Sequence, residues 1–186
     1  SKCIIFGDII SLKEKLESFL VNCEKLVVLG IGNELRGDDS IGPYIIKELE
    51  NMSMGSNSSD NSNTKTSDKK FNRNIIFIDG GSAPENFTGL IKKENPSHLL
   101  IIDAALMGTN PSNVKTIVKD ELPNINASTH SMSLSYLIKY LEVDIYFDFL
   151  LIGIEPVSMN LGEEISHNVL KSADEVIDIL SSLLFD

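Results

Sequence analysis

Short apolar runs alternate along the chain with segments of helical hydrophobic spacing, and most of the runs stop at a glycine or a carboxylate. Leu26 to Leu29 opens the series, with further strand-like runs near Ile75 to Ile78, Leu99 to Ile102, Val114 to Val118 and Ile145 to Ile154. Runs this short and continuous, bounded by turn residues, read as buried strands. Between them, helices are predicted near Ile41 to Glu50, Phe87 to Lys93, Met132 to Leu141 and Ser166 to Leu184; the last has Val169, Leu170, Ala173, Val176, Ile177, Leu180, Leu183 and Leu184 on one broad apolar stripe. Strands alternating with helices predict an α/β fold, a three-layer α/β/α sandwich on a mainly parallel twisted sheet, in a single domain.

Two segments stand outside this alternation. Ile9, Leu12, Leu16, Phe19, Leu20 and Cys23 fall at helical spacing, so the N-terminal extension over about 1–25 is expected to carry an amphipathic helix packed on the sheet. Residues 53–70 are almost entirely Ser, Asn, Asp, Thr, Lys and Gly. Such a composition buries too little apolar surface to offset ordering entropy, and predicts a disordered surface loop.

The ends of the apolar runs hold the chemistry. The first leads into Gly30-Ile31-Gly32-Asn33-Glu34-Leu35-Arg36-Gly37-Asp38-Asp39, a strand–loop–helix junction of the kind where open α/β sheets place ligands. A nucleotide is the first ligand to test, because glycines there let backbone amides reach phosphate. The third glycine of a dinucleotide fingerprint falls on Leu35, however, and Asp38 and Asp39 would repel the anion. Carboxylates in that place suit a cation. Asp103 closes the run Leu99 to Ile102, and His130 stands in Ser128-Thr129-His130-Ser131 just before a predicted helix. Two carboxylates and an imidazole suit a borderline divalent first-row ion and leave positions open for a substrate. Each also has a plain structural reading: Asp39 or Ser40 as a helix cap, Asp103 satisfied by loop amides, His130 in a capped turn. A fourth junction, Asp79-Gly80-Gly81, is either a tight turn or a place for another backbone to come close.

Read together, these segments resemble the endopeptidases that mature nickel-iron hydrogenases. The resemblance rests on Gly30-Ile31-Gly32-Asn33 through Gly37-Asp38-Asp39, Asp79-Gly80-Gly81-Ser82-Ala83-Pro84-Glu85-Asn86, Leu100-Ile101-Ile102-Asp103-Ala104, Thr129-His130-Ser131-Met132 and Leu151-Ile152-Gly153-Ile154-Glu155-Pro156, in the family's order. It runs from about Leu26 to the C-terminus, interrupted by one insertion, and is nearest to the branch serving energy-converting and related hydrogenases. It departs at Ser40, where a glycine is frequent, in the N-terminal segment and in the polar insertion. The resemblance implies that Asp39, Asp103 and His130 are the metal-binding and catalytic residues, and that Asp79, Gly80 and Gly81 receive substrate. It further implies that the metal is nickel carried in by the precursor, and that the partner is a hydrogenase large-subunit precursor losing its C-terminal extension.

Composition narrows the alternatives. A net charge of -11 over 186 residues argues against a nucleic-acid surface. Cys3 and Cys23 have no metal-type spacing and are expected to be thiols in a cytoplasmic protein. No run is long enough to span a bilayer, and no secretory leader is recognisable. The sequence has no nucleophile elbow, zincin helix or cysteine near the histidine junction, so water is the expected nucleophile, activated either by the precursor's nickel or by one carboxylate acting as general base, with no Asp38–Asp39 dyad; the aspartyl-type class is what the resemblance implies. The competing reading is a metal-sensing chaperone that binds the immature subunit without cutting it.

Overall fold

The computed structural model describes residues 12–55, 74–124, 126–127 and 133–185. Helix α1 covers 12–19, followed by β1 (Lys25–Gly30), α2 (Ile41–Gly55), β2 (Asn74–Asp79), α3 (Thr88–Glu94), β3 (His98–Leu106), β4 (Val114–Ile117), β5 (Asn126–Ala127), α4 (Leu134–Glu142), β6 (Asp148–Ile154) and α5 (His167–Phe185). The main sheet has the order β2-β1-β3-β6-β4. Its first four strands are parallel, β4 closes one edge antiparallel to β6, and β5 pairs antiparallel with the end of β3 at Ala105 and Leu106.

Period-two alternation sorts the apolar side chains into two cores. Leu26, Val28, Leu100, Ile102, Leu150 and Ile152 face α1, α2 and α5, while Val27, Leu29, Leu99, Ile101 and Leu151 face α3 and α4. This is the expected three-layer sandwich. In the described part of the extension, Leu12, Leu16 and Leu20 are buried against the α2–α5 layer; Ile9 and the rest of residues 1–11 lie outside the described residues.

Several boundaries differ from the sequence expectation. Helix α2 continues to Gly55, so Ser53, Met54 and Gly55 are helical and not part of a loop; the remainder of the 53–70 segment lies outside the described residues. Strand β3 does not stop before Asp103 but runs to Leu106, because Gly153 and Ile154 of β6 and then Ala127 of β5 pair with it.

The crossovers determine where a site can form. From β1 the chain passes through α2 to β2 on one side, then through α3 to β3 on the other side of β1. Strand order therefore reverses between β1 and β3. Loops leave such a switch point in opposite directions and open a crevice beyond the carboxyl ends of the strands.

Candidate active site

The β1 loop is pinned at that switch point by backbone approaches that only glycine allows. A Cβ on Gly42, in the first turn of α2, would lie 2.2 Å from Ile31 O and 2.7 Å from Ile102 O. At Gly32, where φ is +149°, a Cβ would lie 1.7 Å from Asp39 O. The loop is then stitched to both neighbours: Ile31 N–H donates to Ile102 O at 2.9 Å, and Gly32 N–H to Gly81 O at 2.9 Å. The 3-10 turn Gly37–Ser40 packs against β3.

Asp38 and Asp39, both buried in this turn, are used differently. Asp38 accepts hydrogen bonds from Val157 N–H at 2.8 Å, Ser158 N–H at 3.0 Å, Ser166 N–H at 2.6 Å and Ser166 Oγ at 2.9 Å. Its charge is spent on holding the loop after β6. Asp39 Oδ2 accepts Asn33 N–H at 3.1 Å, while its buried Oδ1 has no hydrogen-bond partner among the described residues. The helix-cap reading does not hold for either candidate, since Asp39 bonds back to Asn33 and Ser40 Oγ donates to Gly37 O at 2.6 Å.

Asp103 is fully buried in β3, in register with Gly153 of β6. Alternation places it on the α3–α4 face of the sheet with Leu99 and Ile101. His130 lies outside the described residues. The described chain on either side of it is nonetheless anchored near Asp103: Ala127 pairs with Ala105, and Leu134 begins α4 with its side chain buried on the same face. Among the described residues no group of three or more His, Cys, Asp or Glu is placed to hold a metal ion.

The Asp79-Gly80-Gly81 turn belongs to the same rim. Gly80 N–H donates to Gly30 O at 2.8 Å, and a Cβ on Gly80 would lie 2.8 Å from Leu29 Cδ1. The backbone coming close to this glycine is the chain's own β1. Exposed Asp79 accepts Gly81 N–H at 3.0 Å through Oδ1; Gly81 has φ +53° and open space where a Cβ would point.

The structure adds residues that sequence reasoning passed over. Arg36, in the Asp39 loop, has a buried Nε with no hydrogen-bond partner among the described residues. Buried Glu155 receives Met107 N–H at 2.7 Å and Thr109 Oγ1 at 3.2 Å, fixing the loop beyond β3. Glu163 is held below the ordinary carboxylate range by hydrogen bonds from Ser158 and then Asn160. The only sequence signal for Asp38 was its position beside Asp39; nothing local marked Arg36 as lacking a partner.

Comparison with known proteins agrees with this architecture. The HycI family profile, described as hydrogenase maturation protease, matches residues 63–183. A Methanocaldococcus jannaschii protein provisionally named a hydrogenase maturation protease is 38% identical over 173 residues, spanning 93% of this chain and 96% of that protein. The hydrogenase 3 maturation protease of Escherichia coli K12 is 35% identical over 131 residues, spanning 70% of this chain and 72% of its own length. In fold, the crystal structure of a [NiFe] hydrogenase maturation protease HycI from Thermococcus kodakarensis superposes with a TM-score of 0.74, covering 92% of this chain and 99% of that one at 24% identity. The chain belongs to the hydrogenase maturation protease family and is a peptidase.

Proposed function

We propose that this protein removes the C-terminal extension of a nickel-loaded [NiFe]-hydrogenase large-subunit precursor, recognising the nickel that the precursor brings through Asp39, Asp103 and His130. The observation that carries this reading is the buried Asp39 Oδ1, an acceptor without a hydrogen-bond partner among the described residues, at the strand-order switch point. A buried carboxylate oxygen left in that state is costly unless a cation or donor arrives with the substrate. Carboxylate oxygens and an imidazole nitrogen suit a divalent first-row ion. Nickel is here part of the substrate, which makes metal insertion a checkpoint for cutting.

Hydrolysis adds a water oxygen to the scissile carbonyl carbon, breaks the C–N bond and leaves a proton on the departing amine. Asp39 and Asp103 are the buried carboxylates of the β1 and β3 arms able to accept the water's proton. Arg36 Nε, a charged and unfilled donor in the Asp39 loop, is suited to the carbonyl oxygen as it gains charge. The Asp79-Gly80-Gly81 turn borders the crevice and offers its outer face to the peptide. We place the reaction in the cytoplasm, where both cysteines remain thiols.

The test compares nickel-loaded and nickel-free precursors by intact mass spectrometry. Loss of the extension mass from the loaded precursor alone is expected. Equal cutting of both overturns the nickel checkpoint, and binding without any mass change overturns the proteolytic reading.

A further inference from the structure

Beside the Asp39 turn, two loops present large apolar side chains to solvent. Leu35, Val157 and Leu161 are 67%, 55% and 70% exposed. A single exposed leucine is ordinary, but the two backbone segments that carry these three are hydrogen-bonded to one another. Gly162 N–H donates to Leu35 O at 2.8 Å, Gly37 N–H to Glu163 O at 3.1 Å, and Asp38 N–H to Ser158 O at 2.9 Å. Beneath them lies the Asp38 carboxylate, bonded to Val157, Ser158 and Ser166. The patch is therefore fastened to the turn that carries Asp39, and its ordering entropy is spent in folding instead of binding. Around it Glu34, Glu163 and Glu164 are exposed, with Arg36 the sole cation in the two loop segments 33–39 and 157–166.

We infer that Leu35, Val157 and Leu161 form the docking surface for the precursor, taking a segment whose apolar side chains are flanked by Lys or Arg. This rests on the proposed proteolytic reading, since the patch is continuous with the Asp39 turn through Asp38. Charge argues for a foreign, basic segment over a second copy, because a second copy would bring the same glutamates and a net charge of -11.

The double variant Leu35→Ser/Leu161→Ser tests the surface, with Glu34→Lys/Glu164→Lys as a second variant that leaves the apolar groups in place. Cleavage of the nickel-loaded precursor gives KM and kcat, and binding is measured separately in an Asp39→Asn background. The leucine variant is expected to raise KM and Kd about tenfold or more, since leucine burial is lost. Its kcat should stay within about twofold, because the truncated groups lie outside the reacting centre. The charge variant should raise KM at low salt and lose most of that effect at high salt. Unchanged KM and Kd in both variants, with melting temperatures unchanged, overturn the docking surface while wild-type cutting still supports the protease. A wild-type dimer that the leucine variant dissociates with no change in KM also overturns it. A wild-type protein that binds the precursor through this patch without cutting it keeps the surface and removes the proteolytic reading.

Discussion

Asp38 and Asp39 share a peptide bond and a buried environment, yet Asp38 accepts four hydrogen bonds from the loop after β6 while Asp39 Oδ1 accepts none from the described residues. Their substitutions should therefore fail in opposite ways. Asp38→Ala takes the buried acceptor from four hydrogen bonds, leaves their part-buried donors without it, and should destabilise the fold by about 3 kcal/mol or more. At this chain length that lowers the melting temperature by roughly 6–12 °C. Asp39→Asn removes a buried charge, so it should keep or raise the melting temperature and abolish precursor cleavage. Thermal melts paired with a cleavage assay decide it; a large fall in stability for Asp39→Asn would make that residue structural.

Asp103→Asn and His130→Ala are expected to abolish cleavage with secondary structure unchanged by circular dichroism. Each should also weaken binding of the nickel-loaded precursor more than of the nickel-free one. Full activity in either variant would remove that residue from the proposed set.

The layers were legible in the sequence because they follow from local pattern: Leu26 to Leu29 and Leu99 to Ile102 are apolar runs, and both are central strands. Strand ends were not, since they depend on distant partners. Asp103 reads as the residue after a strand, but Gly153 pairs with it and β3 continues through it. The two-residue strand β5 has no pattern of its own and exists through its pairing with Ala105 and Leu106. Asp39 was visible as a carboxylate at a junction. Asp38's role was hidden because its partners, Val157, Ser158 and Ser166, lie more than a hundred residues away.

Removing residues 56–70 and joining the ends through a short Gly/Ser linker should leave melting temperature and cleavage close to wild type. Halving a loop changes closure free energy by only about 0.6 kcal/mol. The cut must spare Gly55, where α2 ends, because the same helix buries Ile45, Ile46 and Leu49. A large loss of stability, or loss of binding to one precursor alone, would give the segment a role that its composition does not suggest.

Tyr44 offers a pH readout of the α2–α5 contact. Its hydroxyl donates to Asp174 Oδ1 at 2.8 Å, and burial followed by that hydrogen bond pushes its pKa from about 10 up to about 12. The folded-state value is raised above the unfolded one, so the associated stability is complete below about pH 10 and disappears as pH climbs through about 12. Ultraviolet titration should show Tyr44 ionising late. Asp174→Asn should move it back toward the ordinary value; no movement would assign the shift to burial alone.

The turn at Gly81 separates backbone strain from obstruction of the substrate. With φ at +53° and open space at the Cβ position, Gly81→Ala adds no clash but places an L side chain in the left-handed region, at about 1–2 kcal/mol. Gly81→Asn brings a larger side chain that tolerates that region better. If the turn's only task is to carry the hydrogen bond from Gly32 N–H to Gly81 O, cleavage should follow stability, with the Asn variant closer to wild type than the Ala variant. If the peptide passes over its open face, the order reverses for recognition: Asn melts higher than Ala but shows the larger rise in KM. We expect the reversed order, measured as melting temperature and KM for the same precursor. Parallel ranking of stability and KM would take Gly81 out of the substrate path and leave it as the bend that holds the β1 loop in place.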